Sequence, residues 1–333
     1  MATIKDVAKM AGVSISTVSK AYNNYSEVSD TTKQRIAQVA KTLGYIPNKT
    51  AVELSQGQRK YVGLIVKNSI QDEFLRMISG VHSTTETYGY ELVIYTTQHI
   101  KSKNMSYVDF CRYHSLVGAI VSGLDKDDPY LHELTESETP CVLVDIELHG
   151  KNTAYVSTDN LSASYQVFEL LYAHGHRHIC HVTGSMSAEV AHKRKDGFVS
   201  AAKDNNLPLN QLTFVDGDWS ETTAYQATQT VLHAHPEITA VYAASDTMAL
   251  GAMTAIRQAG YTIGQDFSLI GFDGISILRY TSPPLATVAQ GLVGIGEVAC
   301  QTLFKICRGE AFEPQNYVDF EIVPRQSIHQ IHP

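Results

Sequence analysis

No run of roughly 18 apolar residues occurs in this 333-residue chain, so no segment is expected to span a membrane. The opening MATIKDVAKMAGV lacks the hydrophobic stretch and cleavage site of an export signal, and a cytoplasmic location is expected. Cysteine is scarce. Cys111, Cys141, Cys180, Cys300 and Cys307 are odd in number, scattered and never spaced C-x-x-C, which argues against a disulfide framework and for small buried hydrophobes. No G-x-S-x-G, no G-x-x-x-x-G-K, and no G-x-G-x-x-G after the first apolar run is present. A hydrolase elbow, a phosphate loop and a dinucleotide fingerprint are therefore missing, so neither an enzyme nor a cofactor is expected. The terminal SIHQIHP carries no heptad repeat, and a dimer is expected rather than a tail-linked tetramer.

What is present is unevenly distributed. The net charge is -8, yet residues 1–60 hold nine Lys or Arg against four Asp or Glu, while the remainder holds 17 against 30. A small basic head on a large acidic body points to a polyanion met by the head alone. The apolar share of 44% suffices for sizeable cores, and the length suits two or three domains.

Within the head, Thr3 precedes IKDVAKMA with Asp6 three residues on, a capping-box-like start. Ile4, Val7, Ala8 and Ala11 fall on one helical face, and Gly12 ends the helix. Ser14 can cap a second helix from Ile15 to about Tyr22. A third runs from Ser29 to Gly44, with Ile36, Val39, Ala40 and Leu43 spaced as a buried face. Two short helices at a tight turn, braced by a third, make a helix-turn-helix unit. Ser14, Thr17, Ser19, Asn23, Ser29 and Thr32 are short hydroxyl or amide groups suited to phosphate oxygens or, singly, to helix capping. Ile15, Ser16 and Lys20 remain at the start and outer face of the second helix, where base edges would be met. Beyond Pro47, Asn48 can cap a helix over Lys49–Ser55, too short to persist alone. Ala51 and Leu54 share a face there, and a minor-groove wedge would use the leucine.

Taken together, TIKDVAKMAGVSISTVSKAYN, VSDTTKQRIAQVAKTLGYIPN and KTAVEL resemble the head of the lactose-repressor/galactose-repressor family of bacterial transcription regulators. The resemblance implies that the second helix reads the major groove through Ile15, Ser16 and Lys20, that Leu54 is the wedge, and that Thr3 and Tyr45 join the DNA-contact set. Lys20 departs from the family's common arginine and lacks its bidentate fork. Val52 stands near the place of another frequent arginine.

From Tyr61 onward the runs YVGLIV, YELVIYTT, VGAIVSG, CVLVDI, HICHVTG, TAVYAAS and FSLIGF alternate with helical patterns, as in doubly wound parallel sheets. The expected class is α/β: a helix-turn-helix head over residues 1–46, a hinge over 47–60, and a two-lobed effector and dimerisation body over 61–333. The length suggests two lobes with a boundary near Thr158–Asn160, and the family resemblance implies a periplasmic-binding-protein-like body whose chain crosses back near Gln290 and again near Val323. Lobe 1 is then about 61–159 and 291–323, and lobe 2 about 160–290 and 324–333.

Ligands in such folds sit at the carboxyl ends of strands. There the sequence offers Asp72, Glu73 and Phe74 after the first strand, Asp145 within CVLVDI, Trp219 after LTFVDGD, Asp246 and Asp273 at two strand ends, and Gln290 at a crossing. Arg194, three before Gly197, stands at the family's usual effector-binding arginine. Asp246 has a second reading as a helix N-cap, and Asp159 before LSASYQVFELL is read as a cap. An aromatic face, an arginine and carboxylates in one cleft suit a sugar or glycoside, with a nucleobase or other metabolite as the alternative. His174, His176, His178 and His181 resemble a metal cluster, but a helix end and strand alternation separate them, so no metal is expected. The expected function is a homodimeric repressor of carbohydrate-utilisation genes on a near-palindromic DNA operator. Export-dependent binding protein and enzyme are the other classes, and neither has a use for the head.

Overall fold

The computed structural model describes residues 2–22, 25–45, 61–67 and 72–331, with the side chains of Asp72 and Glu73 left aside. Asn23 and the proposed hinge, with Asn48, Ala51 and Leu54, lie outside the described residues. Two compact units emerge, residues 1–60 and 61–333.

Among the described residues of the first unit, three helices surround a small core. Helix α1 (Ile4–Ala11) starts at a capping box in which Thr3 and Asp6 bond reciprocally, and it ends at Gly12 in the left-handed region, φ 65°. Helix α2 (Ile15–Tyr22) and helix α3 (Asp30–Leu43) complete the trio. Val7, Ala8, Ala11, Val18, Ile36 and Ala40 form the buried cluster. Three of its residues are alanines, which lets the short helices approach closely.

The second unit holds two six-stranded sheets. Strands β1 (Tyr61–Val66), β2 (Glu91–Thr96), β3 (Leu116–Ser122), β4 (Cys141–Val144), β5 (Thr153–Thr158) and β11 (Gln315–Val318) form lobe 1 in the order β11-β5-β4-β3-β1-β2, all parallel. Lobe 2 contains β6 (Ile179–Thr183), β7 (Leu212–Asp216), β8 (Ala240–Ala243), β9 (Ser268–Asp273), β10 (Ala286–Gln290) and β12 (Phe320–Val323). Their order is β12-β10-β9-β8-β6-β7, parallel except at the β10–β12 edge. The chain passes between sheets after Thr158, after Gln290 and at Asp319. The third passage comes four residues before the sequence expectation near Val323, because Phe320–Val323 runs antiparallel to β10 and so belongs to lobe 2.

Helices cover both faces of each sheet, which is why the central strands read as unbroken apolar runs rather than alternating ones, while the edge strands β2, β11 and β12 stay partly exposed. On lobe 1 these are α4 (Asp72–Thr87), α5 (Thr97–Ser102), α6 (Tyr107–Tyr113), α7 (Pro129–Glu136) and α12 (Leu292–Cys307). On lobe 2 they are α8 (Asn160–Ala173), α9 (Glu189–Asp204), α10 (Glu221–Ala234) and α11 (Asp246–Gln258). Close packing is set by glycine where α12 crosses α4: a Cβ at Gly296 would lie 2.2 Å from the Met77 carbonyl oxygen. Among the described residues, no helix is long and apolar enough to cross a membrane.

Candidate functional site

In the head, Ser14 Oγ accepts the Thr17 amide at 3.0 Å and lies 2.8 Å from the Thr17 hydroxyl, so both residues serve the start of α2. Ser29 accepts the Thr32 amide at 3.4 Å and caps α3 in the same way. Thr3 is engaged by Asp6. Tyr45 packs edge-on against Tyr22, ring centroids 6.2 Å apart. Ile15 and Ser16 are exposed, and Ser19 is half-buried. Lys20 forms an ion pair with Glu27 in the turn before α3, a contact the sequence did not suggest.

Between the lobes of the second unit lies a cleft of about 340 Å³. Lobe 1 contributes Phe74 from α4, Ser122 ending β3, Asp125 beyond it, and Asp145 after β4. Lobe 2 contributes Arg194 from α9, Asp218 and Trp219 after β7, Ser245 after β8, Asp273 ending β9 and Gln290 ending β10. These are the carboxyl ends of strands, where helix N-termini and loop amides leave room and polarity for a ligand. Phe74, Asp145, Arg194, Trp219, Asp273 and Gln290 of the sequence-derived set thus meet in one place.

Arg194 is buried and held from several sides. Its Nε donates to Asn160 Oδ1 at 2.8 Å, its Nη1 donates to the Ala244 carbonyl, and its guanidinium carbon stands 3.6 Å from the Phe272 ring centre. Asp273 lies 3.9 Å from Nη1 and accepts Gln290 Nε2 at 2.8 Å. The Gln290 Oε1, also buried, has no hydrogen-bond partner among the described residues. Asp145 accepts the Ser157 hydroxyl at 2.5 Å; burial raises its pKa, and Ser157 and the Arg194 charge pull the other way. Four cleft residues carry positive φ: Asp145 at 63°, Asp218 at 46°, Trp219 at 55° and Asp273 at 123°. Non-glycine residues tolerate this region only when their surroundings over-determine it, and such strain concentrates at ligand sites.

Asp246 does not belong to the lining. It is fully buried; its Oδ2 accepts the Gly274 and Ile275 amides at 2.7 and 2.8 Å, and its Oδ1 accepts the Thr287 hydroxyl at 2.6 Å. Nor is it the helix cap, since Ser245 accepts the Met248 amide at 3.1 Å. Asp246 instead anchors the loop that follows Asp273. Burial pushes its pKa up to about 7 against those hydrogen bonds. Asp159 does cap α8, accepting the Ser162 amide at 3.0 Å.

Sequence reasoning missed the residues that join the lobes around the cleft. Asp125 accepts Lys67 Nζ at 3.1 Å from its own lobe and Ser187 Oγ at 2.9 Å from the other. Lys193 reaches Glu147 at 2.6 Å, the Glu147 amide donates to Glu189 at 3.0 Å, and Arg76 donates to the Gly274 carbonyl at 3.0 Å. The strand-end rule covers Asp125, which follows VGAIVSG; partners from the facing lobe carry no local signal.

The histidines are spent separately. His176 lies 2.9 Å from Thr239 Oγ1 and 2.8 Å from Ser268 Oγ, while His181 stacks on Tyr242 with centroids 4.2 Å apart. Among the described residues, no three His, Cys, Asp or Glu side chains are grouped to hold a metal.

Comparison with known proteins agrees with this arrangement. Residues 3–48 match the bacterial regulatory proteins of the lacI family, and residues 168–328 match the periplasmic binding protein-like domain. The chain is 31% identical to the HTH-type transcriptional repressor PurR of Mannheimia succiniciproducens, over 99% of its own length and 100% of the relative's. It is 28% identical to the HTH-type transcriptional regulator MalR of Clostridium butyricum, over 98% and 99%. The crystal structure of the lac repressor dimer bound to operator and the anti-inducer ONPF aligns with a TM-score of 0.86 at 26% identity, covering 98% of this chain and 99% of that one. Identity of this extent, over head and body alike, places the chain in the lacI family of bacterial regulatory proteins: it is a DNA-binding transcriptional regulator and not an enzyme.

Proposed function

We propose that the protein acts in the cytoplasm as a homodimeric repressor of carbohydrate-utilisation genes, with a neutral sugar or glycoside bound between its lobes setting operator affinity. The supporting observation is the polarity of the cleft. Asp125, Asp145, Glu189, Asp218 and Asp273 line it against the three cations Lys67, Lys126 and Arg194, of which Lys67 and Arg194 already face carboxylates. Such a wall opposes an anion and favours a ligand rich in hydroxyl donors. Trp219 offers the flat apolar surface on which a sugar ring stacks. A nucleobase is the second reading, favoured by Phe74 and Trp219 lining one cleft from opposite lobes.

Two heads on one dimer suit the half-sites of a near-palindromic operator, with Ile15, Ser16 and Lys20 reading bases and Leu54 entering the minor groove. Ser14, Thr17, Ser19, Asn23, Ser29, Thr32 and Asn48 serve the backbone. Ligand held by both lobes alters their relation, and a coupling of about 1–3 kcal/mol to operator binding suffices for a switch. Calorimetric titration with neutral sugars, glycosides, nucleobases and phosphorylated sugars, with operator binding followed in parallel, tests the reading. Arg194→Ala and Asp273→Ala should each weaken the effector by about 2–5 kcal/mol, against about 1 kcal/mol for a neutral hydrogen bond. Heat and altered DNA affinity from a nucleobase alone would exclude the sugar and leave the regulator.

A further inference from the structure

The head carries a carboxylate whose placement its own folding does not explain. Of its four acidic residues, Asp6 closes the capping box of α1, and Asp30 sits in the first turn of α3 near Lys33 at 3.7 Å. Glu53 lies outside the described residues. Glu27 caps no helix and stands in the turn between α2 and α3, whose backbone is held by the Val28 amide on the Tyr25 carbonyl at 3.3 Å. Its described partner is Lys20, on the outer face of α2. The side chains remain 44% and 64% exposed, so the pair adds little to stability. In a DNA-binding head the same carboxylate lowers attraction to phosphate, a cost that needs a return.

We infer that Glu27 is a specificity-determining residue, and that the Lys20–Glu27 pair reads one G·C base pair in each half-site. The major-groove edge of a G·C pair presents two acceptors, guanine N7 and O6, beside one donor, the cytosine N4 amino group. Lysine supplies donors, and a carboxylate accepts from cytosine N4. The ion pair sets a donor and an acceptor side by side in one exposed unit, matching that edge. It also partly compensates for the fork that lysine lacks: Lys20 alone is a mobile point charge, whereas its contact with Glu27 biases it towards one direction. Repulsion from phosphate then serves discrimination, because Glu27 is satisfied only where an amino group replaces the water it loses.

The inference rests on the DNA-binding reading of the head, and one experiment separates the two. The full-length chain and its Glu27→Ala, Glu27→Gln and Lys20→Ala variants are put through selection on randomised half-sites, then titrated on the winning and mismatched duplexes over a range of salt. The parent should require G·C at one position per half-site. Glu27→Ala should lose about 5- to 150-fold of discrimination there, the range of one base contact, while binding mismatched DNA more tightly. Glu27→Gln, nearly the same size, should move that preference towards A·T, since glutamine pairs with adenine N6 and N7. Lys20→Ala should relax the same position. Unchanged melting of Glu27→Ala and Glu27→Gln would show that folding is not the cause. If Glu27→Ala keeps the parent's base preferences and merely binds all DNA more tightly, Glu27 is no reader and the inference is overturned. A parent that selects no sequence would overturn the base-reading role of the head along with it.

Discussion

Gly184→Ala adds one methyl group where the cleft has no room for it. Gly184 is buried directly after β6, and a Cβ there would lie 2.0, 2.2 and 2.3 Å from Cζ2, Cε2 and Cη2 of Trp219. Carbon atoms rest about 3.5–4.0 Å apart, so the indole must withdraw by roughly 1.5 Å or the strand end must shift. Overpacking a closed core costs about 1–3 kcal/mol. Trp219 is only half-buried and lines an open cleft, so the ring yields first and the cost falls near 1 kcal/mol. Effector then loses its stacking surface, worth about 0.5–1.5 kcal/mol beyond area burial, or roughly a two- to twelvefold rise in Kd. Because Trp219 is the only tryptophan, intrinsic fluorescence reports the displacement directly. The expected result is a shifted emission maximum and a weaker calorimetric titration, with operator binding in the absence of effector preserved. Emission, stability and effector affinity all equal to the parent's would refute the proposed packing of Trp219 on Gly184.

Leu54→Ala should weaken specific operator binding and reduce DNA bending while leaving dimerisation and effector binding intact; gel-shift bending assays decide it, and parental bending would remove the wedge. Acid stability follows from three buried groups. Burial pushes the pKa of His176 down to about 4 and that of His181 to about 3, so their stabilising contribution is complete above the unfolded value of about 6.5 and is lost as pH falls towards these values. Asp246 has the opposite sign, being raised to about 7, so its contribution is complete below the unfolded carboxylate value and lost as pH rises through the folded one. Between about pH 4.5 and 6, unfolding should therefore take up about one proton from this trio in the parent and about two in Asp246→Asn. Urea melts across that window measure the difference, and equal slopes would contradict the opposing assignment.

Local chemistry makes the head legible in its sequence. Helix starts at Thr3, Ser14 and Ser29 and stops at Gly12 and Gly44 depend on side chains and dihedral freedom within a few residues, so sequence alone determined the three helices. The alternating apolar runs of the body likewise determined two doubly wound sheets, because burial on both faces leaves a continuous hydrophobic signature. Strand ends pointed to Asp145, Trp219, Asp273 and Gln290 without requiring their partners. Tertiary structure alone decided that Asp246, one strand away from Asp273, turns inward to the Gly274 and Ile275 amides. It decided the third crossing at Asp319, where antiparallel pairing with β10 overrides any local preference of the segment. It placed Asp125 against Ser187, Glu147 against Lys193 and Gly184 beneath Trp219, across separations of 62, 46 and 35 residues. The first two depend on how the two lobes meet and the third on β6 and β7 lying side by side in one sheet, and no periodicity within either partner records them.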